Sequence, residues 1–174
     1  MNNFKILILS FLVGSLLISC YTFTGSSLTV EKTVQINEFP NNAPLMNPNL
    51  SQQFSTALQN RFLRTSLKGT KENPDMLIEG EITDYSITPT TISSPATANT
   101  GGTVQAAQNK LTITVKVHYE NRTAENKDKS FDRTYTDEAS FNSDLSISEV
   151  ESSQVKIVID RIINKIFNDI VANW

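Results

Sequence analysis

Cysteine and histidine are nearly missing from this chain of 174 residues, which has one of each, Cys20 and His118. A single cysteine excludes an internal disulfide framework. With one histidine beside it, a zinc site of ordinary Cys/His composition is excluded as well. No phosphate loop is present either, since Gly101-Gly102 has neither a strand-to-helix setting nor the lysine such a loop needs. Blocks of positive charge are absent: Lys and Arg number 15 against 18 Asp and Glu, for a formal net charge of −3. That balance leaves nothing to hold a nucleic-acid backbone. Asp84, Asp132, Asp137 and Glu138 lack calcium-loop spacing, and no nucleophile-elbow sequence gives His118 a serine to activate. Glu79 and Glu81, two apart on one strand, read as a solvated face. No enzyme activity and no cofactor are expected, and the readings that survive are binding and assembly.

What is present begins at the N-terminus. Lys5 precedes an almost unbroken apolar run from Ile6 to Ile18, and Leu17-Ile18-Ser19 leads directly into Cys20. The run is about 13 residues, too short to cross ~30 Å of hydrocarbon as a helix, and it has the layout of a secretory signal peptide. An ordinary signal peptide or a short anchor would fit the run alone. The cysteine at this spacing favours a bacterial lipobox, in which residues 1–19 are removed and Cys20 is acylated. Stable anchoring takes more than one lipid chain, each buried CH₂ contributing ~0.8 kcal/mol. A di- or triacylated cysteine meets that need. The remaining 155 residues carry a net charge of −4 once Lys5 is gone, and they have the length of one domain with a sizeable core. Residues 20–27 form the tether and 28–174 the domain.

Leu28, Val30, Val34 and Ile36 alternate as a strand over 28–38, ended by Phe39-Pro40-Asn41-Asn42-Ala43-Pro44. Asn47-Pro48 reads as a helix start. Leu50, Phe54, Ala57, Leu58 and Phe62 then form an apolar stripe, in which Arg61 must snorkel outward. Met76, Ile78, Gly80 and Ile82 share one side of a strand, with Gly80 marking a bulge or a close backbone approach. Tyr85 to Asn109 has no charged residue and reads as a long loop. Leu111 to Tyr119 and Phe131 to Tyr135 alternate as further strands. Ser148 with Glu151 is a capping box. It opens a long helix whose core line is Val155, Ile159, Ile162, Ile166 and Ile170, with Trp174 widening the face. The expected fold is α+β: a two-layer sandwich with two helices on one face of a four-stranded mixed sheet.

Cys20 to Gly25, the Phe39–Leu45 stretch with Asn47-Pro48, Glu79-Gly80-Glu81-Ile82-Thr83-Asp84-Tyr85, Asn109–Val115 and Ile166–Trp174 together resemble the lipopolysaccharide-assembly lipoprotein family, LptE. Tyr21 stands where that family often has glycine. The resemblance implies an outer-membrane lipoprotein, facing the periplasm or within a barrel lumen. There it serves as plug and assembly partner of the lipopolysaccharide-translocating barrel LptD, and it also touches lipopolysaccharide. On that reading the uncharged 85–109 stretch suits a lumen, where desolvated ions are costly. Lipopolysaccharide phosphates would want cations, and Lys116, Lys127, Lys129 and Arg133 on or near the wet strands are the candidates. The alternatives are a free periplasmic lipoprotein binding a small or lipidic ligand between sheet and helices, and an anchored enzyme. The dominance of Leu, Ile, Val and Phe at inward positions speaks for a filled core over a ligand cavity.

Overall fold

In the computed structural model, residues 31–45, 47–93 and 105–171 are described. Their strands and helices are β1 (Thr33–Ile36), α1 (Leu50–Leu63), β2 (Lys68–Gly69), β3 (Met76–Ser93), β4 (Gln105–Asn121), β5 (Phe131–Asn142) and α2 (Lys156–Val171). A 3-10 turn at Lys127–Lys129 joins β4 to β5, and an α turn at Ile147–Val150 followed by a π turn at Glu151–Val155 leads into α2.

The sheet has five strands in the order β2-β1-β3-β4-β5, not four. The strand missed is β2, whose two residues are too few to show any alternation. Lys68 N–H donates to the Lys32 carbonyl at 2.9 Å and Thr70 N–H to the Val34 carbonyl at 3.0 Å, which holds Lys68 and Gly69 beside β1 as a strand. β1 is parallel to β2 and β3, and β3, β4 and β5 are antiparallel, so the sheet is mixed as expected. Both helices share one face of it.

The 85–109 stretch is corrected most. β3 runs on to Ser93 and β4 begins at Gln105, paired residue by residue out to Ser93↔Gln105. Only 94–104 lie outside the described residues. The absence of charge reflected Thr and Ile, which are β-branched and suit a strand. Phe131–Tyr135 likewise extends to Asn142, whereas the first strand contracts to Thr33–Ile36.

The core draws on every strand and helix except β2, whose two residues are exposed. Leu50, Phe54, Leu58 and Phe62 of α1 are fully buried against Val158, Ile162 and Ile166 of α2 and against Leu111, Ile113, Val115 and Val117 of β4. Trp174 lies outside the described residues. Arg61 does not simply reach into water: its guanidinium stacks 3.5 Å from the Phe167 ring centroid, and its Nε donates to Asn164 at 3.3 Å, joining the two helices. Helix starts differ by two residues from expectation. Asn47 forms the turn before α1, its Oδ1 accepting from Asn49 N–H at 3.0 Å, and the helix begins at Leu50. The capping box is Ser146 with Glu149, not Ser148 with Glu151: Ser146 N–H donates to Glu149 Oε2 at 2.8 Å and Glu149 N–H to Ser146 Oγ at 3.3 Å. Ser146 and Ser148 both have a glutamate three residues on, so spacing alone could not choose between them.

Gly80 and the bulge are separate features. The register slips between Ile82 and Asp84, so Thr83 is the extra residue and burial passes from even to odd positions, placing Tyr85 inward. At Gly80 a Cβ would run into the Lys116 carbonyl and the fully buried Phe39 ring. Gly80→Ala should therefore lower the unfolding free energy by about 3 kcal/mol, the upper range for overpacking. A urea curve within about 0.5 kcal/mol of the parent, a typical surface-mutation effect, would mean that β3 can shift away from β4.

Candidate functional site

Among the described residues nothing covers the sheet face opposite the helices. Register sets its side chains in rows across β3, β4 and β5: Glu79, His118, Asp132; Glu81, Lys116, Thr134; Asp84, Thr114, Thr136; Ser86, Thr112, Glu138. His118 Nδ1 lies 2.9 Å from Asp132 Oδ1, Lys110 pairs with Glu138 at 2.9 Å, and the Thr114 and Thr136 hydroxyls meet at 3.1 Å. Glu79 and Glu81 do face this surface, and they also hold the chain that follows β1. Asn37 donates to Glu79 Oε2 at 2.9 Å and Asn42 to Glu81 Oε2 at 2.7 Å. The hollow between them is about 430 Å³, open, and bordered by charge. Among the described residues no three His, Cys, Asp or Glu side chains are grouped to hold a metal ion.

The four cations considered for phosphate contact are not brought together. Lys116 stands on the open face, opposite Glu81. Lys129 ends the 3-10 turn at one pole of the sheet, with Lys127 two residues before it. Arg133 lies opposite the buried Val117 and so points to the helix side. There it pairs with Asp169 at 2.7 Å and stacks on Phe131 at 4.5 Å. Tyr135 donates to the same Asp169 oxygen at 2.8 Å, and burial raises its hydroxyl above the usual tyrosine value. Cys20 lies outside the described residues.

Sequence reasoning missed a buried polar cluster at that pole. Glu31 is 5% exposed, and its Oε1 accepts from the side-chain amides of Asn121 and Asn126, both at 2.7 Å. Burial raises the Glu31 carboxyl, but the two amides and the charge of Lys129 outweigh it and hold it below the ordinary carboxylate range. Asn121 also donates to Tyr119 Oη at 3.0 Å, and burial pushes that hydroxyl up to about 12. Beside this cluster Asp75 Oδ2 accepts from Lys32 N–H at 2.8 Å, Thr33 N–H at 2.9 Å and Thr33 Oγ1 at 2.9 Å. No periodic signal in the sequence marks Glu31 or Asp75, because their partners are 90 and 42 residues away. The chain entering the domain is thus pinned at the β4–β5 turn. The end where Ser93 pairs with Gln105 lies at the far side of a 17-residue strand, a distance of ~55 Å at ~3.3 Å per residue.

The described residues thus form a two-layer α+β domain with a filled core and one bare polar sheet face. The sequence model of the family described as LptE: Lipopolysaccharide-assembly matches residues 31–172. The chain belongs to that family. No curated protein matches it. Among solved structures it is similar to a minor lipoprotein from Acinetobacter baumannii, with 17% identity, 83% of this chain and 95% of that one covered, and a TM-score of 0.49. It is also similar to the hypothetical protein CT253 from Chlamydia trachomatis, with 12% identity, 79% and 94% covered, and a TM-score of 0.49. Rare lipoprotein B from Shewanella oneidensis shares 9% identity over 79% and 90%, with a TM-score of 0.42. No helix among the described residues is long and apolar enough to cross a membrane.

The Asp75 clasp has a signed pH dependence. The Lys32 N–H, followed by the Thr33 donors, holds this carboxyl below its ordinary value. Its contribution is therefore present above the unfolded carboxylate pKa of ~4 and lost as pH falls through the lower folded value. Melting temperature should be level from neutral pH to about 5 and drop below about 4. Asp75→Asn should lower the neutral melting temperature by several degrees, equivalent to ~1–2 kcal/mol, and flatten the acid limb. An unchanged acid limb in that variant would assign the pH sensitivity to other groups.

Proposed function

We propose that the mature protein is a non-enzymatic outer-membrane lipoprotein, acylated at Cys20, that plugs and helps assemble the barrel LptD and assists passage of lipopolysaccharide to the cell surface. The observation that carries this reading is the LptE family match across 31–172. The Leu17-Ile18-Ser19-Cys20 sequence supports the anchor. Only ten residues separate Cys20 from the pinned Glu31, so the β4–β5 pole stays within ~40 Å of the lipid even with the tether fully extended. The β3–β4 ribbon then extends ~55 Å from that pole, more than the ~40–45 Å depth of a bilayer with its headgroups, and it can run the height of a barrel lumen. For lipopolysaccharide phosphates we favour Lys116 and Lys129. Arg133 already serves Asp169 and Phe131 inside the domain. The ligand-binding alternative needs room between the layers, where Leu58, Phe62, Ile113, Val115 and Ile162 are fully buried against one another.

An affinity pull-down of the tagged, lipidated protein from detergent-solubilised outer membranes should recover one large heat-modifiable barrel protein in near-equal amount. Recovery of the lipoprotein alone would discard the barrel role. Cys20→Ser should leave the precursor unprocessed and unacylated, read by mass spectrometry. An acylated product in that variant would remove Cys20 as the lipidation site.

A further inference from the structure

β3 has two neighbours, and one of them stops early. β1 flanks it only from Met76 to Ile78. The chain after β1 adds one bridge, in which Ile82 N–H donates to the Pro40 carbonyl and Asn42 N–H to the Ile82 carbonyl, both at 2.9 Å. Beyond that point β3 continues to Ser93 with β4 on one side and, among the described residues, no strand on the other. Ile87-Thr88-Pro89-Thr90-Thr91-Ile92-Ser93 is uncharged and, apart from Pro89 and Ser93, β-branched. Strands of separate chains pair most readily from such a composition when no proline interrupts it.

The register tells which way each backbone group turns. Thr136 and Glu138 of β5 offer their carbonyls outward, to Lys165 at 2.9 Å and Arg161 at 3.1 Å. The odd residues of β5 therefore bond to β4, Tyr135 to Val115 and Asp137 to Ile113, and the even residues of β4 are left for β3. In β3 these meet Ser86, Thr88 and Thr90, opposite Thr112, Lys110 and Gln108. Ile87, Pro89, Thr91 and Ser93 thus turn their backbone to the open flank. Pro89 stands where its missing N–H costs the β3–β4 ladder nothing. A strand added on the flank would find no donor there and a ring in its way. The other edges carry different guards: β2 is two residues long, Gln59 donates to the Ile36 carbonyl of β1 at 3.4 Å, and Arg161 and Lys165 occupy carbonyls of β5. Along Ile87–Ser93 no side chain serves in this way among the described residues, and Pro89 is the guard that remains.

We propose that Ile87–Ser93 is a latent pairing edge for a second copy of this chain, and that Pro89 keeps it closed. This goes beyond the barrel reading and does not depend on it. The test uses the full-length, lipidated protein purified in detergent, with amide hydrogen exchange read residue by residue and mass read by native mass spectrometry. In the parent the Ile87 and Thr91 amides should exchange at least ~10-fold faster than those of Thr88 and Thr90, which donate to β4. Pro89→Thr restores an N–H on an exposed edge and should leave the circular dichroism spectrum unchanged. It should double the mass at a concentration where the parent is a monomer, and slow the Ile87 and Thr91 amides at least ~10-fold. Dilution should reverse both effects. Slow Ile87 and Thr91 amides in the parent would mean that the flank is already covered, and would overturn the proposal. So would a Pro89→Thr protein that stays monomeric, or one that associates while those two amides remain fast. Recovery or loss of a barrel in the pull-down bears on the barrel reading alone, and pairing of Pro89→Thr supports this inference in either case.

Discussion

β3 must keep its apolar side toward the helices from Met76 to Ile87 while pairing with partners on both flanks. An unbroken two-residue repeat would carry Met76, Ile78 and Ile82 inward but turn Tyr85 and Ile87 out. The extra residue at Thr83 resets the parity, and Tyr85 becomes buried. The same strand must let Phe39 come against its backbone at Gly80, where any Cβ would meet Phe39 and the Lys116 carbonyl. Phe39 in turn packs 5.1 Å from Phe54, and its N–H donates to the buried Ser55 hydroxyl at 2.9 Å, so α1 is seated through β3.

Charge is arranged around that core according to what each strand leaves exposed. Along β5, Arg161 and Lys165 of α2 reach the Glu138 and Thr136 carbonyls at 3.1 and 2.9 Å, and both also pair with Asp137. Burial raises the Asp137 carboxyl, but Lys165 and the other donors outweigh it and hold it below its usual range. Backbone acceptors near the sheet edge are thereby occupied by helix side chains, one means by which an edge strand avoids pairing with another chain. On the bare face the acids are held mostly by amides and hydroxyls, so this surface stays polar without closing on itself. The pole at Glu31 and Asp75 fixes where the chain enters, and entry point and ribbon length together give the domain a near and a far end relative to any anchor on Cys20.

Much of this was legible in the order of residues. Apolar periodicity identified both helices, the inner parts of the ribbon strands and most of the buried residues, because a half-buried element must repeat with its own geometry; Tyr85, Ala139 and Phe141 lay beyond the expected strand ends. The short motifs spread over the chain carried a family resemblance that the match across residues 31–172 bears out. The capping box was expected at Ser148 with Glu151 and is formed by Ser146 with Glu149, two equal spacings having left the choice to packing.

The sequence by itself determined the α+β class, the face each element buries and the absence of an internal disulfide, since these depend on local period and composition. Only the tertiary structure decided the fifth strand, the extension of β3 and β4 into the uncharged stretch, the inward turn of Arg133 and the burial of Glu31. Each of these rests on contacts between segments distant in the chain. A two-residue strand exists because Lys32 and Val34 offer it carbonyls, and the buried Glu31 carboxyl is held low by amides of Asn121 at the end of β4 and Asn126 in the turn after it.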